Sequence, residues 1–191
     1  IAQAFTEIRT QVTRLDELVQ DYLSLVRVSN IELEPQDLGA CVQAWGAEMR
    51  VQAASRGITL QMEGLENLGQ VAFHASTLRR VIFNLLQNAM DAMPSGGELH
   101  VETAVETANS HVPGRPGVQP RCCVTVCIHD TGHGIPAAHL DKIFDPFFTT
   151  KEAGQGTGIG LAVCSQIIQA HGGSISVQSQ EGEGSTITVR L

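Results

Sequence analysis

Apolar residues recur at helical spacing in the first 28 positions of this 191-residue chain. Their steps alternate between four and three, which is the heptad spacing of a helix that packs in a bundle. The stripe consists of Ile1, Phe5, Ile8, Val12, Leu15, Val19, Tyr22 and Val26. It ends near Asn30, and Pro35 disfavours helix at the residue before it. The pattern therefore predicts one long helix within residues 1–34 and a separate domain over residues 35–191, with the boundary at residues 31–36.

Helical and strand-like runs interleave in the second domain. Helical spacing predicts helices over residues 38–56, 76–93 and 158–171, each ended by glycine or proline. Ser76 or Thr77 is the expected cap of the second helix. Shorter apolar runs predict strands over residues 58–63, 98–105, 122–129, 174–179 and 185–191. This interleaving predicts a two-layer α/β sandwich.

Charge and composition exclude several classes of function. The formal net charge is −8 and only 4% of the residues are aromatic, which argues against binding to nucleic acid. No run of about 18 apolar residues is present to span a membrane, so we expect a cytoplasmic segment without membrane contact. Five cysteines without a Cys-x-x-Cys pair favour reduced core residues over a zinc site. The chain opens in mid-pattern at Ile1, so we expect it to be a piece of a longer protein, whose membrane attachment the sequence leaves open.

Two amide side chains in the second predicted helix are candidate metal ligands. Asn84 and Asn88 are four residues apart and hence lie on one helical face. Amide oxygens suit Mg²⁺, which prefers oxygen ligands and keeps waters or phosphates in its remaining positions. Taken alone, such a pair is more typical of surface hydrogen bonding, so this interpretation depends on the motifs that follow.

Two glycine-rich segments are typical of a nucleotide site. Asp130 ends a predicted strand and is followed by Gly132 and Gly134, which would let a ligand approach the backbone, although Asp and Gly are also common in plain turns. The glycine run at residues 154–160 leads into the third predicted helix, whose N-terminus would favour an anion such as phosphate. Neither the P-loop pattern nor the Rossmann glycine pattern is present.

Two further segments are ambiguous on their own. Residues 144–151 combine three phenylalanines with two threonines and Lys151, which suits either a lid over a nucleotide or a loop anchored in the core. The segment at residues 182–186, which ends at Thr186, is an ordinary hairpin turn if it is taken alone.

These five segments, in this order, closely resemble the N, G1, F, G2 and G3 boxes of sensor histidine kinases. The sequence that begins at Asn88 is similar to the nitrogen-regulator-type subgroup, and the resemblance covers essentially the whole chain. It implies the Bergerat ATP-binding fold, a mixed sheet of about five strands covered by three helices, preceded by the long heptad helix. It also implies ATP and Mg²⁺ as cofactors.

The resemblance further implies a role for individual residues. Asn88 would be the principal Mg²⁺ ligand, Asn84 would assist at the metal and phosphates, and Asp130 would bind the adenine. The other ATP-binding residues that it implies are Gly132, Gly134, Lys151, Gly156, Gly158, Gly160, Leu161 and Thr186. His74 stands where the family usually carries an acidic residue. Asp91 stands where many relatives carry a cation, so Asp91 is not expected to be a ligand.

The heptad helix resembles the second helix of the family's dimerisation hairpin, whose partner helix normally bears the phosphorylated histidine. All seven histidines lie in residues 35–191, so we expect no autophosphorylation by this chain alone. In the intact protein the resemblance implies a homodimer through this helix and a response regulator as the partner.

Three other functions fit parts of the sequence. An ATPase of the gyrase or mismatch-repair type shares the fold, but it uses a glutamate to activate water where this chain has Asn84, and an amide is no general base. A serine-directed anti-sigma kinase leaves the heptad helix unexplained. A nucleotide-sensing pseudokinase that acts as an interaction module would keep the fold and the heptad helix without phosphotransfer. The presence of Asn88 and Asp130 argues against this alternative.

Overall fold

The structure, a computed structural model, describes residues 31–66, 68–107, 122–151 and 156–191. The predicted heptad helix at residues 1–30 and Gly154 lie outside the described residues. In chain order the elements are β1 (Glu34–Asp37), α1 (Leu38–Ser55), β2 (Ile58–Glu63), β3 (Gln70–Phe73), α2 (Ala75–Asp91), β4 (Gly97–Thr107), β5 (Cys122–Asp130), α3 (Ala137–Leu140), α4 (Gly160–Ala170), β6 (Ser174–Gln180) and β7 (Gly184–Arg190). No helix in these described ranges is long and apolar enough to cross a membrane.

Five strands form one mixed sheet in the order β2-β4-β5-β7-β6. β2 pairs parallel with β4, and the other neighbouring strands pair antiparallel. Side chains alternate between the two faces, so that on β4 Leu99 and Val101 are buried while Glu98 and Glu102 are exposed. The apolar face packs against α1, α2 and α4. The predicted two-layer sandwich with five strands and three covering helices is therefore confirmed.

Helix α1 illustrates how the apolar period creates the core. The predicted stripe is buried in full, and its members are Leu38, Val42, Trp45, Met49 and Ala53. Asp37 caps the helix, because its side chain accepts a hydrogen bond of 2.9 Å from the backbone N–H of Ala40.

The predicted cap of α2 is wrong. The helix begins at Ala75, so Ser76 and Thr77 lie inside its first turn, and Thr77 Oγ1 donates to the carbonyl of His74 instead. The backbone N–H of His74 donates to Nε2 of His171, which follows α4, at 3.1 Å. The backbone N–H of His74 is thus satisfied by a residue 97 positions away in the chain. No local sequence pattern could have indicated this hydrogen bond.

Three short features were not predicted. β1 and β3 form a separate two-stranded sheet, and β1 occupies the predicted boundary segment. Its sequence, Glu-Pro-Gln-Asp, is mostly exposed and has no apolar alternation, so the pairing with β3 is visible only in three dimensions. The four-residue helix α3 was also missed, and α4 begins at Gly160 rather than Gly158.

Candidate nucleotide-binding site

A cleft of about 1300 Å³ opens between α2, the loop after β5 and the segment that precedes α4. The predicted site residues that line it are Asn84, Asn88, Asp130, Gly134, Lys151, Gly156, Gly158, Gly160 and Leu161. Four separate stretches of sequence therefore meet at one place. Gly132 and Thr186 are the two predicted residues that do not line the cleft.

Helix α2 presents its two amides to the cleft because its neighbouring face is packed in the core. Leu85 and Leu86 are buried, whereas Asn84 and Asn88 are half-buried. The Nδ2 group of Asn84 donates to the thiol sulfur of Cys164 at 3.4 Å, which leaves its Oδ1 available to a ligand.

The donor chemistry of the cleft fits a magnesium–phosphate ligand. In the part of the chain that the structure describes, no group of three or more His, Cys, Asp or Glu side chains could hold a metal ion. A metal here would depend on amide oxygens together with oxygens of its own ligand. Mg²⁺ is bound in this way at phosphate sites, where few protein ligands are needed.

Asp130 supplies a buried hydrogen-bond acceptor at the end of β5. Its side chain is only 5% exposed, and Oδ1 accepts a hydrogen bond of 2.9 Å from the N–H of Gly132. Burial raises the pKa of Asp130, while backbone hydrogen bonds from Gly132 and Ser185 and the nearby His129 and His133 oppose that rise. The surrounding wall is apolar, and it is formed by Met93, Ile128, Ile143 and Ile187. An acceptor in an apolar wall suits a flat, partly apolar ligand with an amino group.

The two glycines after Asp130 are also needed for packing within the protein, which is a reason that the sequence did not indicate. A Cβ at Gly134 would collide with the carbonyl oxygen of Gln180. At Gly132 it would lie 2.8 Å from Oδ1 of Asp130. These two glycines therefore allow the loop to close on its own neighbours, and Gly132 shapes the site by contacting Asp130 rather than by lining the cleft.

The glycines before α4 bring the other segments of the site together. The N–H of Phe147 donates to the carbonyl of Gly158 at 2.8 Å, and Gly158 has a φ of +65°. A Cβ at Gly160 would lie 2.6 Å from Nδ2 of Asn84, so α4 begins in direct contact with α2. The N-terminus of α4 has no side-chain cap, and such an end is suited to binding phosphate.

A charged cluster lies at the mouth of the cleft. Oδ2 of Asp91 is 2.6 Å from Nζ of Lys151, and Oδ1 is 2.8 Å from Nη1 of Arg56. Gln87 also donates to Oδ1, at 2.7 Å. Burial acts to raise the pKa of Asp91, but hydrogen bonds from Lys151, Arg56 and Gln87 outweigh it and lower the pKa. Arg56 also lines the cleft, and sequence reasoning missed it because it lies outside the five segments.

Thr186 faces the opposite side of the sheet from the cleft. Its Oγ1 is 2.9 Å from Nδ1 of His129, and the structure therefore does not support a contact between this side chain and a ligand in the cleft. Ser185 and Ile187, one position away on either side, line the cleft instead. The period-two alternation of a strand was the signal that could have separated these residues.

The chain belongs to the family described as Histidine kinase-, DNA gyrase B-, and HSP90-like ATPase, which matches residues 73–191. The matched region contains α2, α4 and four of the five strands of the main sheet. The Bergerat ATP-binding fold that the resemblance implied is confirmed.

Relatives over the length of the chain are sensor kinases. Sensor histidine kinase ZraS of Escherichia coli strain K12 is 35% identical over 181 residues, which is 95% of this chain and 36% of ZraS. Sensor kinase CckA of Brucella abortus strain 2308 is 35% identical over 191 residues, which is 96% of this chain and 20% of CckA. The chain thus spans about a third of one relative and a fifth of the other. The resemblance to histidine kinases is confirmed, and the nitrogen-regulator-type subgroup remains a prediction.

Solved structures agree with this assignment of the fold. The catalytic domain of histidine kinase ThkA is 26% identical with a TM-score of 0.68, over 84% of this chain and 95% of that one. Full-length ShkA in complex with AMPPNP has a TM-score of 0.79 over 97% of this chain and 37% of that one. Its identity is 23%, so this second likeness concerns the fold alone.

Proposed function

We propose that this chain is the ATP-binding catalytic domain of a two-component sensor histidine kinase, with residues 1–34 forming the second helix of its dimerisation hairpin. One observation carries the proposal: the two amides of α2, the buried acceptor Asp130 and the uncapped N-terminus of α4 line a single cleft. The names of ZraS and CckA, and the AMPPNP complex of ShkA, support it.

In the proposed site each segment has a separate task. Asn88, assisted by Asn84, holds Mg²⁺ through amide oxygens, and Asp130 accepts a hydrogen bond from the adenine amino group. The glycine segment ahead of α4 and the helix N-terminus hold the phosphates, and Lys151 adds a positive charge. When bound, Mg·ATP supplies the γ-phosphoryl group, with the metal neutralising charge on its oxygens. The contribution of the protein is to position the phosphates and stabilise their charge.

The acceptor in this proposal is a histidine on a helix outside the chain, in the homodimer of the intact protein. From there the phosphoryl group would pass to an aspartate of a response regulator, on the cytoplasmic side of any membrane. Histidine kinase ThkA has been solved in complex with the response regulator protein TrrA, which supports a partner of this class.

Phosphoryl transfer is favoured over ATP hydrolysis because of the side chain at position 84. An amide cannot accept a proton from water as a carboxylate can, so Asn84 cannot act as a general base. The Nδ2 group of Asn84 also donates a hydrogen bond to Cys164.

The activity is tested by extending the chain towards its N-terminus to include the histidine-bearing helix and supplying radiolabelled Mg·ATP. We expect acid-labile phosphohistidine to form, and Asn88→Ala to abolish it. Release of inorganic phosphate without any labelled protein would instead indicate an ATPase, and binding of ATP with neither product would indicate the pseudokinase alternative.

A further inference from the structure

Of the charged cluster at the mouth of the cleft, only Lys151 has a task in the site proposed above. The Asp91 carboxylate forms ion pairs with Lys151 at 2.6 Å and with Arg56 at 2.8 Å, and it accepts a further hydrogen bond from Gln87. These side chains are about one-third exposed, 29% for Asp91, 35% for Lys151 and 39% for Arg56. The cluster joins the end of α2 to a residue just after α1 and to the segment that precedes α4.

Asp91 lies on the same face of α2 as the two amides of the site. The spacing from Asn84 to Asn88 is four residues and from Asn88 to Asp91 is three, so the carboxylate is about one turn from Asn88 and two turns from Asn84. Asp91, Asn84 and Asn88 all line the cleft. The link of Asp91 to the glycine segment that precedes α4 is Lys151, which contacts Asp91 through its ammonium and packs its stem near Gly156.

The Lys151 ammonium cannot bind the Asp91 carboxylate and a phosphate equally well at the same time. A phosphate oxygen in contact with the Lys151 ammonium would lie next to the Asp91 carboxylate, and the repulsion between like charges is strong at such short range. The ammonium has three donors, so sterics alone would permit both contacts, but the charges disfavour them. The stem of Lys151 also packs near Gly156, which keeps the ammonium close to the cluster.

We infer that Asp91 sets the nucleotide affinity by occupying Lys151, so that nucleotide phosphates bind this ammonium in competition with the carboxylate. The inference rests on the proposed function and concerns its phosphate subsite. Asp91 acts through Lys151 and is not a ligand itself. It weakens the binding of nucleotides whose phosphates reach Lys151, and it leaves the binding of adenosine unchanged.

The test is isothermal titration of the wild type and Asp91→Asn with Mg·ATP and with adenosine. The substitution keeps the shape of the side chain and its acceptor for Gln87 but removes the charge. We expect Mg·ATP to bind about two- to fivefold more tightly, in line with the strength of a partly exposed ion pair, and adenosine to bind as in the wild type. In a Lys151→Met background the same substitution should have no effect on Mg·ATP.

Glu48→Gln is the matched control. Glu48 and Arg79 form a comparable pair at 2.7 Å between α1 and α2, away from the cleft, so its removal should leave both affinities unchanged. An unchanged or weaker affinity of Asp91→Asn for Mg·ATP, with a wild-type melting temperature, would overturn the inference. So would tightening that persists without Lys151, because the carboxylate would then act by direct repulsion. A wild type that binds neither ligand would refute the proposed function itself, and the inference with it.

Discussion

At the scale of single residues, the proposed role of Asp130 gives this side chain opposite effects on folding and on binding. The carboxylate is buried, and burial raises its pKa because the charged form loses hydration. The same charged form is the acceptor that the proposed adenine contact requires. In the proposed site this group would be unfavourable for the stability of the empty protein and favourable for ligand binding, as is common in functional sites.

Acidification should weaken ligand binding through Asp130. Because its pKa is raised above 3.8 in the folded protein, the acceptor is lost as the pH falls through that higher value. Adenosine affinity of the wild type, measured by titration calorimetry, should decrease over this range. Asp130→Asn should bind weakly with no such dependence. A parallel decrease in both proteins would mean that another group is responsible.

The stability of the protein should show the complementary effect. A carboxyl group whose pKa is higher in the folded than in the unfolded state favours folding at low pH, and this contribution is lost as the pH rises from 3.8 through the folded-state pKa. Over this window, the slope of the free energy of unfolding in urea against pH should therefore be more negative in the wild type than in Asp130→Asn. Equal dependence in the two proteins would contradict the assigned direction of the shift.

Asn88 should affect only ligands that carry metal-bound phosphates. Asn88→Ala removes an amide oxygen at the proposed metal position, so Mg·ATP affinity should fall by about tenfold or more, while adenosine affinity stays the same. Gln43→Ala is a suitable control, since this exposed amide lies on α1 outside the cleft. Equal losses for Mg·ATP and adenosine would indicate damage to α2 rather than loss of a metal ligand.

At the scale of elements, Gly158 connects the segment around Phe147 to the start of α4. A Cβ there would lie 2.5 Å from the carbonyl carbon of Phe147, and the φ of +65° is unfavourable for other residues. Gly158→Ala should lower the free energy of unfolding by about 2–4 kcal/mol, measured in urea. Gly172→Ala is the control, because Gly172 has a similar φ of +75° and a Cβ added there would have no atom within 4 Å. Gly172→Ala should lower the free energy of unfolding by only about 1 kcal/mol. Equal losses in the two variants would contradict the packing contact at Gly158.

Element prediction from the sequence succeeded where one apolar face is long enough to show its period. The buried stripe of α1 was predicted residue by residue, and the five strands of the main sheet were all found. β1 was missed because its four residues pair with β3 through backbone hydrogen bonds that carry no side-chain pattern. The cap of α2 was placed wrongly because the residue before the helix, His74, donates its backbone N–H to His171 at the far end of α4.

The structure brings most of the predicted site residues together in one cleft but leaves two of them outside its lining. Asn84, Asn88 and Asp130 converge as expected because each follows from the position of its element. Thr186 was predicted to bind ATP but faces away from the cleft, and Arg56 was missed because its contact with Asp91 spans 35 residues. Long-range contacts of this kind depend on the packing of whole elements.

At the scale of the whole molecule, the cleft joins elements that together form one core, so a bound ligand should stabilise the entire domain. At a concentration of Mg·ATP one hundred times its dissociation constant, linkage predicts about 2.7 kcal/mol of stabilisation. For a chain of this size the melting temperature should rise by about 5–10 °C. Differential scanning fluorimetry with and without EDTA tests this. A rise that EDTA does not reduce would contradict a role for the metal.

The central claim is that separate sequence segments form one Mg·ATP site, and titration calorimetry of Mg·ATP with the wild type and Asp130→Ala tests it most directly. Asp141→Ala serves as the control, since Asp141 is exposed and lies outside the cleft. The account predicts saturable binding by the wild type and the control, and a loss of binding in Asp130→Ala. Equal binding by all three proteins, or no binding by any of them, would contradict it.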